Sequence, residues 1–262
     1  MGAGVRFFEM SYADIKRDSV AITVTSSEAA KLFPFSRDPF SVYQSTGSDD
    51  LTTETIEINF ATSRTIDSLI LVSNNFKAFN FDYWDGSAWQ NAFTPVTGNE
   101  ETTYFKQFSE QTTTKVRLQV DTTMSADAEK SIGQLIITKS IGQLVGYPEI
   151  AYVDNDRPTV NRMIDSKESI VWAGTHKVVE LNFRDYVGNA DRTLFIALAE
   201  RYSPFLVWPC GGDTDQFLHI DIGYRLEDIF LVNIDGRRYR HNFFKNAYFS
   251  GMNVKVALSE SA

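Results

Sequence analysis

Apolar and polar residues alternate along the first half of the chain, a pattern typical of strands that bury one face. Thr55–Phe60 and Thr114–Val120 each place every second residue on an apolar side. Ile66–Val72 is more continuously apolar and fits a central strand. Phe79–Trp84 alternates again and is followed by Asp85-Gly86, a pair that favours a tight hairpin turn. These segments predict a strand-rich first half.

The second half has a different rhythm, in which strands surround one helix. Ser169–Ala173 and Lys177–Phe183 are predicted strands joined by a turn at Gly174, and Phe205–Pro209 is a predicted buried strand. The remaining predicted strands are Tyr224–Ile234 and Arg238–Tyr248, paired about Asp235-Gly236, and Asn253–Leu258. Such an order predicts an α+β arrangement with a mostly antiparallel sheet.

The helix is predicted from about Asp191 to Tyr202. Asn189 or Asp191 can cap its first turn, and Pro204 ends it. Its apolar stripe consists of Leu194, Leu198 and Tyr202 with Phe195 beside them, and its expected packing partners are Val179, Leu181 and Val207. A lone amphipathic helix of this length is marginal in water, so we expect the sheet to stabilise it.

Glycine and proline punctuate the chain near its middle. Gly142, Gly146 and Pro148 surround Tyr147, where the strand-rich, threonine-rich pattern gives way to the pattern with a helix. We therefore predict a mainly β protein of two domains. The first, residues 1–147, is a β-rich domain, and the second, residues 148–262, is an α+β domain with one helix on an antiparallel sheet.

Composition and charge narrow the range of functions. The formal net charge is −9, with 25 Lys and Arg against 34 Asp and Glu, so no global positive field attracts nucleic acid. No stretch approaches the ~20 apolar residues that a membrane helix needs, and residues 1–19 do not resemble a signal peptide. The only cysteine is Cys210, so no intrachain disulfide forms, which suits folding in a reducing cytoplasm.

Residues with catalytic or metal-binding chemistry are scattered. The three histidines lack the spacing of a metal site or a triad, and we expect Cys210 to be a packed or semi-exposed thiol in a strand-to-loop turn. Asp154-Asn155-Asp156 and Asp213-Thr214-Asp215 have the spacing that starts a calcium loop, but the other ligands do not follow, which favours polar turns. We predict no catalytic site, no metal and no cofactor.

Two surface clusters are candidate binding sites. Tyr83, Trp84 and Trp89, with Phe93 nearby, could stack against sugar rings, or they could complete a core that leaves one ring exposed. The only basic cluster is Arg237-Arg238-Tyr239-Arg240-His241. Within it Arg237, Arg238 and Arg240 could contact a neighbouring subunit, DNA phosphate or water alone.

Each half of the chain resembles a known type of domain. The first half resembles a galactose-binding-like (discoidin-type) β-sandwich of the jelly-roll class. The blocks that carry this resemblance are Thr25–Glu28 through Phe33 and Phe40, Thr55–Asn59, Arg64–Leu71, Asn74-Asn75 and Phe81–Trp89. The second half resembles a phage tail-tube module. Its blocks are Val160–Arg162, Val178–Phe183, Arg192–Pro209 and Gly223–Asp228.

The two resemblances together imply a structural protein of a bacteriophage tail tip or baseplate, similar to distal tail proteins. Its second domain would form a ring, hexameric by preference, that continues the tail tube, and its sandwich would lie on the periphery. The implied partners are copies of the chain and the tube, hub and tape-measure proteins. The implied location is the virion, after assembly in the host cytoplasm. The alternative function is a carbohydrate-binding adhesin that recognises a bacterial surface glycan.

Overall fold

The computed structural model describes residues 5–15, 20–36, 41–47, 49–145, 149–162, 168–183, 189–199, 201, 203–209, 229–234 and 254–260. For 149–162, 168–183, 189, 199, 230, 233–234 and 254–260 it describes the backbone only. The described residues form two compact units. The sandwich unit contains residues 8–140, and the helix unit contains residues 5–7 and those from 141 onward.

Strands dominate the described residues. In chain order the elements are β1 Arg6–Glu9, β2 Ala21–Val24, β3 Tyr43–Gln44, β4 Glu54–Asn74, β5 Phe76–Trp84, β6 Trp89–Asn91, β7 Tyr104–Thr123, β8 Ser131–Thr138, β9 Ser140–Gln143, β10 Glu149–Arg162, β11 Glu168–Phe183, α1 Asn189–Ala199, β12 Phe205–Trp208, β13 Phe230–Ile234 and β14 Val254–Glu260. Two short 3-10 turns, Glu28–Ala30 and Phe33–Phe35, lie between β2 and β3.

The sandwich unit is built around two long strands, β4 and β7, which pair with each other along most of their length. Their register shifts at two places midway: residues 60–63 of β4 lie opposite Thr114 alone, and Asp67 of β4 lies opposite residues 108–110 of β7. The first half of β4 and the second half of β7 belong to a layer in the order β2, β4, β7, β5, β6. The other two halves belong to a layer in the order β3, β8, β4, β7.

One hydrophobic core lies between these two layers. It draws Ile56 and Leu118 from the five-stranded layer and Leu69 and Ile137 from the four-stranded layer, all at most 1% exposed. Aromatic rings fill much of the space, since Phe76, Phe79 and Phe81 of β5 are also buried. The predicted mainly β fold with an N-terminal β-sandwich is therefore confirmed.

In the helix unit, seven strands form a sheet in the order β10, β11, β14, β13, β12, β1, β9. Helix α1 buries Phe195 and Leu198, which are 2% and 0% exposed. Phe7 of β1 contacts Phe195 and Phe205 edge-on, with ring centroids 6.3 and 6.1 Å apart. Leu194 lies close against Gly142 of β9. Among the described residues, no helix is long and apolar enough to span a membrane.

Several sequence-based predictions need correction. Thr55–Phe60 and Ile66–Val72 are parts of one strand, because the chain passes between layers through a bulge and not a loop. β11 runs unbroken through the turn predicted at Gly174. Asp154-Asn155-Asp156, predicted as a polar turn, lies within β10.

The helix differs from its prediction in its end and in its buried stripe. It ends at Ala199, and Phe195 and Leu198 are its buried apolar residues, while Leu194 is partly exposed. The predicted burial of Leu198 is confirmed, and Val207 is also buried. The side chains of Val179 and Leu181, Tyr202, and the hairpin about Asp235-Gly236 lie outside the described residues.

Candidate functional site

The outer face of the five-stranded layer carries a continuous row of polar residues. Because alternate residues of each strand enter the core, the residues between them face outward. The row, called the polar row below, takes one residue from each strand and consists of Thr23, Glu57, Arg117, Asp82 and Asn91. Each member is the direct cross-strand partner of the next. The pairing alone therefore aligns these side chains across all five strands.

Two tryptophans lie beside the end of this row, at the turn between β5 and β6. Trp84 and Trp89 are cross-strand partners, and their half-buried rings meet edge-on at a centroid distance of 5.5 Å. The connecting turn is held by Asp85, whose carboxylate accepts hydrogen bonds from the backbone amides of Ser87 and Ala88, both at 2.8 Å. These two hydrogen bonds, of which the one from Ala88 has the larger effect, lower the pKa of Asp85 to about 2.

Two cations lie over the tryptophan rings. The guanidinium carbon of Arg117 is 4.6 Å from the Trp89 ring centroid, and the Lys115 ammonium is 5.8 Å from that of Trp84. Arg117 is fixed further by its Nε, which donates to Asp82 Oδ2 at 2.8 Å. Both cations are thereby placed against the indole rings by neighbouring strands.

This surface contains hydrogen-bonding groups that remain free within the described part of the chain. The Lys115 ammonium and the terminal guanidinium nitrogens of Arg117 have no hydrogen-bond acceptor there. Asp82 is 3% exposed, and its Oδ1 is buried without a donor. Fixed donors and apolar ring surface thus occur side by side, as in binding sites for polar small molecules, while the buried Asp82 holds Arg117 in place.

Thr113 positions the two residues that carry this chemistry. It is 2% exposed and lies where the register of β4 and β7 shifts. Its Oγ1 accepts from the amides of Trp84, at 3.2 Å, and Lys115, at 3.1 Å, and donates to the Trp84 carbonyl at 2.8 Å. The Thr113 side chain therefore replaces the strand-to-strand backbone hydrogen bonds that are missing at the register shift, and it links the backbones of Trp84 and Lys115.

Of the aromatic residues predicted as a candidate glycan surface, the structure brings only Trp84 and Trp89 together on the outer face. Tyr83 and Phe93 pack against the core, and Phe93 stacks with Phe81 at a centroid distance of 6.2 Å. Tyr83 belongs to the core because it directly precedes Trp84 on one strand and faces the opposite side. The basic cluster with Arg237, Arg238 and Arg240, as well as Cys210 and Asp213-Thr214-Asp215, lies outside the described residues.

Sequence reasoning missed Lys115, Arg117, Asp82 and Thr113. The alternation in Thr114–Val120 already places both cations on the polar side of one strand. That they meet Trp84 and Trp89 depends on pairing between β5 and β7, which are separated by β6 and a loop. Periodicity within a segment carries no information on such pairing.

A second polar cluster lies at one end of the sandwich, where the loop 45–53 meets the loop 123–130. Lys130 is 0% exposed, and its ammonium donates to the carbonyl oxygens of Asp49, at 2.5 Å, and Thr52, at 2.8 Å. Asp50 accepts from the amides of Thr123 and Asp127 at 3.0 and 3.2 Å. The first of these bonds lowers the pKa of Asp50 most. We call this cluster the loop network.

A buried carboxylate fixes the neighbouring segment. Glu54 is 3% exposed and accepts hydrogen bonds from Tyr43 OH, at 2.5 Å, and from the Ser26 amide, at 2.8 Å. Burial and this carboxylate raise the pKa of Tyr43. Ser26 Oγ also donates to Glu54, at 3.1 Å, so both the amide and the hydroxyl of this serine hold the buried carboxylate.

The described residues contain no group of three or more His, Cys, Asp or Glu side chains that could hold a metal ion. In the loop network, the Lys130 ammonium occupies the backbone carbonyl oxygens that could otherwise bind a metal cation. The polar groups at the loop end are therefore already satisfied from within the chain.

Solved structures similar to this chain include carbohydrate-binding modules. A chitosan-binding module from a Paenibacillus sp. chitosanase/glucanase is 15% identical with a TM-score of 0.41, over 48% of this chain and 97% of that one. The family 32 carbohydrate-binding module of Clostridium perfringens NanJ, solved with galactose, is 12% identical with a TM-score of 0.42, over 52% and 99%. No protein-family model and no curated protein matches the chain.

Proposed function

We propose that this protein binds a saccharide, without converting it, on the outer face of the sandwich unit. The observation that carries the proposal is the pair Trp84 and Trp89 beside the free donors of Lys115 and Arg117. Pyranose rings present an apolar C–H face and a rim of hydroxyls. The site offers indole surface for the first and fixed hydrogen-bonding groups for the second.

The rigidity of the surface supports this proposal. Asp82 holds Arg117, Thr113 holds the backbone of Trp84, and Asp85 holds the turn that carries both tryptophans. A preorganised site loses little conformational entropy when it binds, which favours recognition of a small polar ligand. None of these contacts positions a nucleophile or a general base against a free site, which supports binding without catalysis.

The experiment is a glycan array probed with the full chain, followed by calorimetric titration of the strongest saccharide. We expect Trp84→Ala and Trp89→Ala each to weaken binding by more than tenfold while the circular dichroism spectrum stays unchanged. Gln107→Ala, an exposed polar position on the four-stranded layer, is the matched control and keeps full affinity. Binding to no array glycan, or equal affinity of both tryptophan variants and wild type, contradicts the proposal.

A second candidate function is the ring-forming structural protein of a phage tail tip, which the sequence resemblance implies. The observation that favours it is the position of β10, a strand of 14 residues that ends the sheet order of the helix unit among the described strands. A terminal strand has backbone groups that a strand of a neighbouring copy can pair with, and closed rings bury such edges.

Electron microscopy of the concentrated full chain tests this second candidate. We expect closed rings, six copies by preference, whose formation is prevented by a proline placed in β10 at an amide that does not pair with β11. Monomers at every concentration, or rings unaffected by the proline, contradict ring formation through this edge. Saccharide binding is measured separately, so the two candidates fail or succeed independently.

A further inference from the structure

The polar row differs in shape from a site that encloses a single sugar. It crosses all five strands of the layer, and adjacent strands lie ~4.8 Å apart, so it extends over roughly 19 Å. Its two terminal residues, Thr23 and Asn91, are both exposed. A linear ligand that reaches the layer at β6 can therefore extend across all five strands and end at β2.

The chemistry along the row alternates between donors and acceptors. Glu57 Oε1 accepts a hydrogen bond from Asn59 at 3.2 Å, and its other oxygen remains for a ligand. Arg117 lies next to Glu57 in the row and keeps its terminal donors, and Thr23 adds a hydroxyl at the far end. Four of the five strands thus contribute a group suited to sugar hydroxyls, at intervals set by the sheet itself, and the buried Asp82 of β5 fixes Arg117.

Four charged side chains in and beside the polar row balance each other in sign. Glu57 and Asp82 oppose Lys115 and Arg117, and the Asp82 charge is directly paired with that of Arg117. The face therefore has no net charge from these four groups to attract an anionic polymer or an amine-rich one.

We propose that the ligand of this face is an internal stretch of a neutral linear polysaccharide, laid across the strands along the polar row. This inference rests on the proposed saccharide-binding function. One sugar unit stacks at Trp84 and Trp89, and the following units contact Arg117, Glu57 and Thr23 in turn. The binding affinity depends on the length of the polysaccharide, because a longer polysaccharide contacts more strands and therefore more hydrogen-bonding groups.

The test uses calorimetric titration of the full chain with neutral glucose, galactose and N-acetylglucosamine polymers, each as monosaccharide, trisaccharide and hexasaccharide. For the series that binds, we expect the hexasaccharide to bind about thirtyfold more tightly than the monosaccharide, the effect of two or three added hydrogen bonds. Glu57→Gln and Thr23→Ala, which lie away from the tryptophans, should weaken binding of the hexasaccharide several-fold and leave that of the monosaccharide unchanged.

The outcomes separate this inference from the function on which it rests. If the monosaccharide binds as tightly as the hexasaccharide, or if Glu57→Gln weakens both equally, the extended mode is wrong and saccharide binding stands. If only charged glycans bind, the neutral-ligand assignment is wrong. If no saccharide of any length or charge binds, the proposed function fails and this inference fails with it.

Discussion

The loop network and the outer face are both polar clusters on the same sandwich, yet their side chains are used differently. In the loop network Lys130 is buried and donates to two backbone carbonyls. On the outer face Lys115 lies against a tryptophan ring with no hydrogen-bond acceptor in the described residues. Removing a satisfied buried group destabilises the fold, because its former partners remain in the interior, where water cannot bond to them. A free group at the surface contributes little to folding and remains able to bind a ligand.

The two lysines make this difference measurable. Both belong to the sandwich unit, and both can be changed to methionine, which keeps an unbranched chain and removes the charge. The account therefore predicts opposite patterns: a loss of stability without a loss of binding for one lysine, and the reverse for the other.

The largest effect is expected for Lys130→Met, which should lower the free energy of unfolding by about 3 kcal/mol. It leaves the carbonyls of Asp49 and Thr52 without their charged donor inside the protein. Urea denaturation of the full chain, followed by tryptophan fluorescence, measures the change. Lys106→Met, at an exposed lysine of β7, is the control and should stay within ~0.5 kcal/mol of wild type. A loss below 1 kcal/mol for Lys130→Met contradicts the account.

Tyr43→Phe should cost about 1.5 kcal/mol, because it removes one buried hydrogen bond to a carboxylate that keeps its bonds from Ser26. Its saccharide affinity should equal that of wild type, since Tyr43 belongs to the loop end. Tyr104→Phe serves as control, because Tyr104 packs its ring edge-on against Phe79 and has no hydrogen bond from its hydroxyl among the described residues. Equal destabilisation by the two changes speaks against a stabilising role for the Glu54 contact.

Lys115→Met should reverse the pattern, with an affinity for saccharide about tenfold lower and a free energy of unfolding within ~0.5 kcal/mol of wild type. The stability term is small because an exposed cation–π contact is worth about 0.5–1 kcal/mol and methionine keeps part of the packing. Calorimetric titration and urea denaturation on the same preparation provide both values. Unchanged affinity, or a stability loss as large as that of Lys130→Met, removes the distinction between the two lysines.

The smallest effect concerns pH and Asp85. The folded-state pKa of this carboxyl, about 2, lies below its unfolded value of ~3.9. Its contribution to stability is therefore complete above about pH 4 and is lost as the pH falls towards 2. Asp85→Asn should lower the urea midpoint slightly at pH 7, and this difference from wild type should shrink as the pH falls towards 2. A midpoint difference that stays constant over this range refutes the assignment.

Much of the fold follows from short-range pattern, and much of the site does not. Alternation in Phe79–Trp84 and Thr114–Val120 predicts both strands and the outward direction of Trp84 and Lys115. The Asp85-Gly86 turn is confirmed, with Gly86 at a φ of +105°. The polar row could not be predicted, because its members come from five strands between Ala21 and Thr123, and only long-range pairing aligns them. The burial of Lys130 could not be predicted either, because most lysines are exposed to solvent and the sequence around Lys130 gives no sign of an exception.

The passage of β4 and β7 between layers was missed for a related reason. A bulge adds residues to one strand only, so the apolar periodicity of Thr55–Phe60 and Ile66–Val72 reads as two separate strands. The same bulge creates the irregular position that Thr113 fills, and Thr113 ties Trp84 to Lys115. The departure from simple alternation thus lies directly beside the candidate site.

A heteronuclear NMR titration of the full chain with the strongest array saccharide, observing the indole N–H signals, shows which surface the saccharide contacts. We expect the signals of Trp84 and Trp89, assigned by single replacements with phenylalanine, to shift on binding. The signals of the Lys130 backbone amide and of the other residues of the loop network should remain unchanged. Saccharide binding that moves the loop-network signals and leaves both indole signals unchanged contradicts the account.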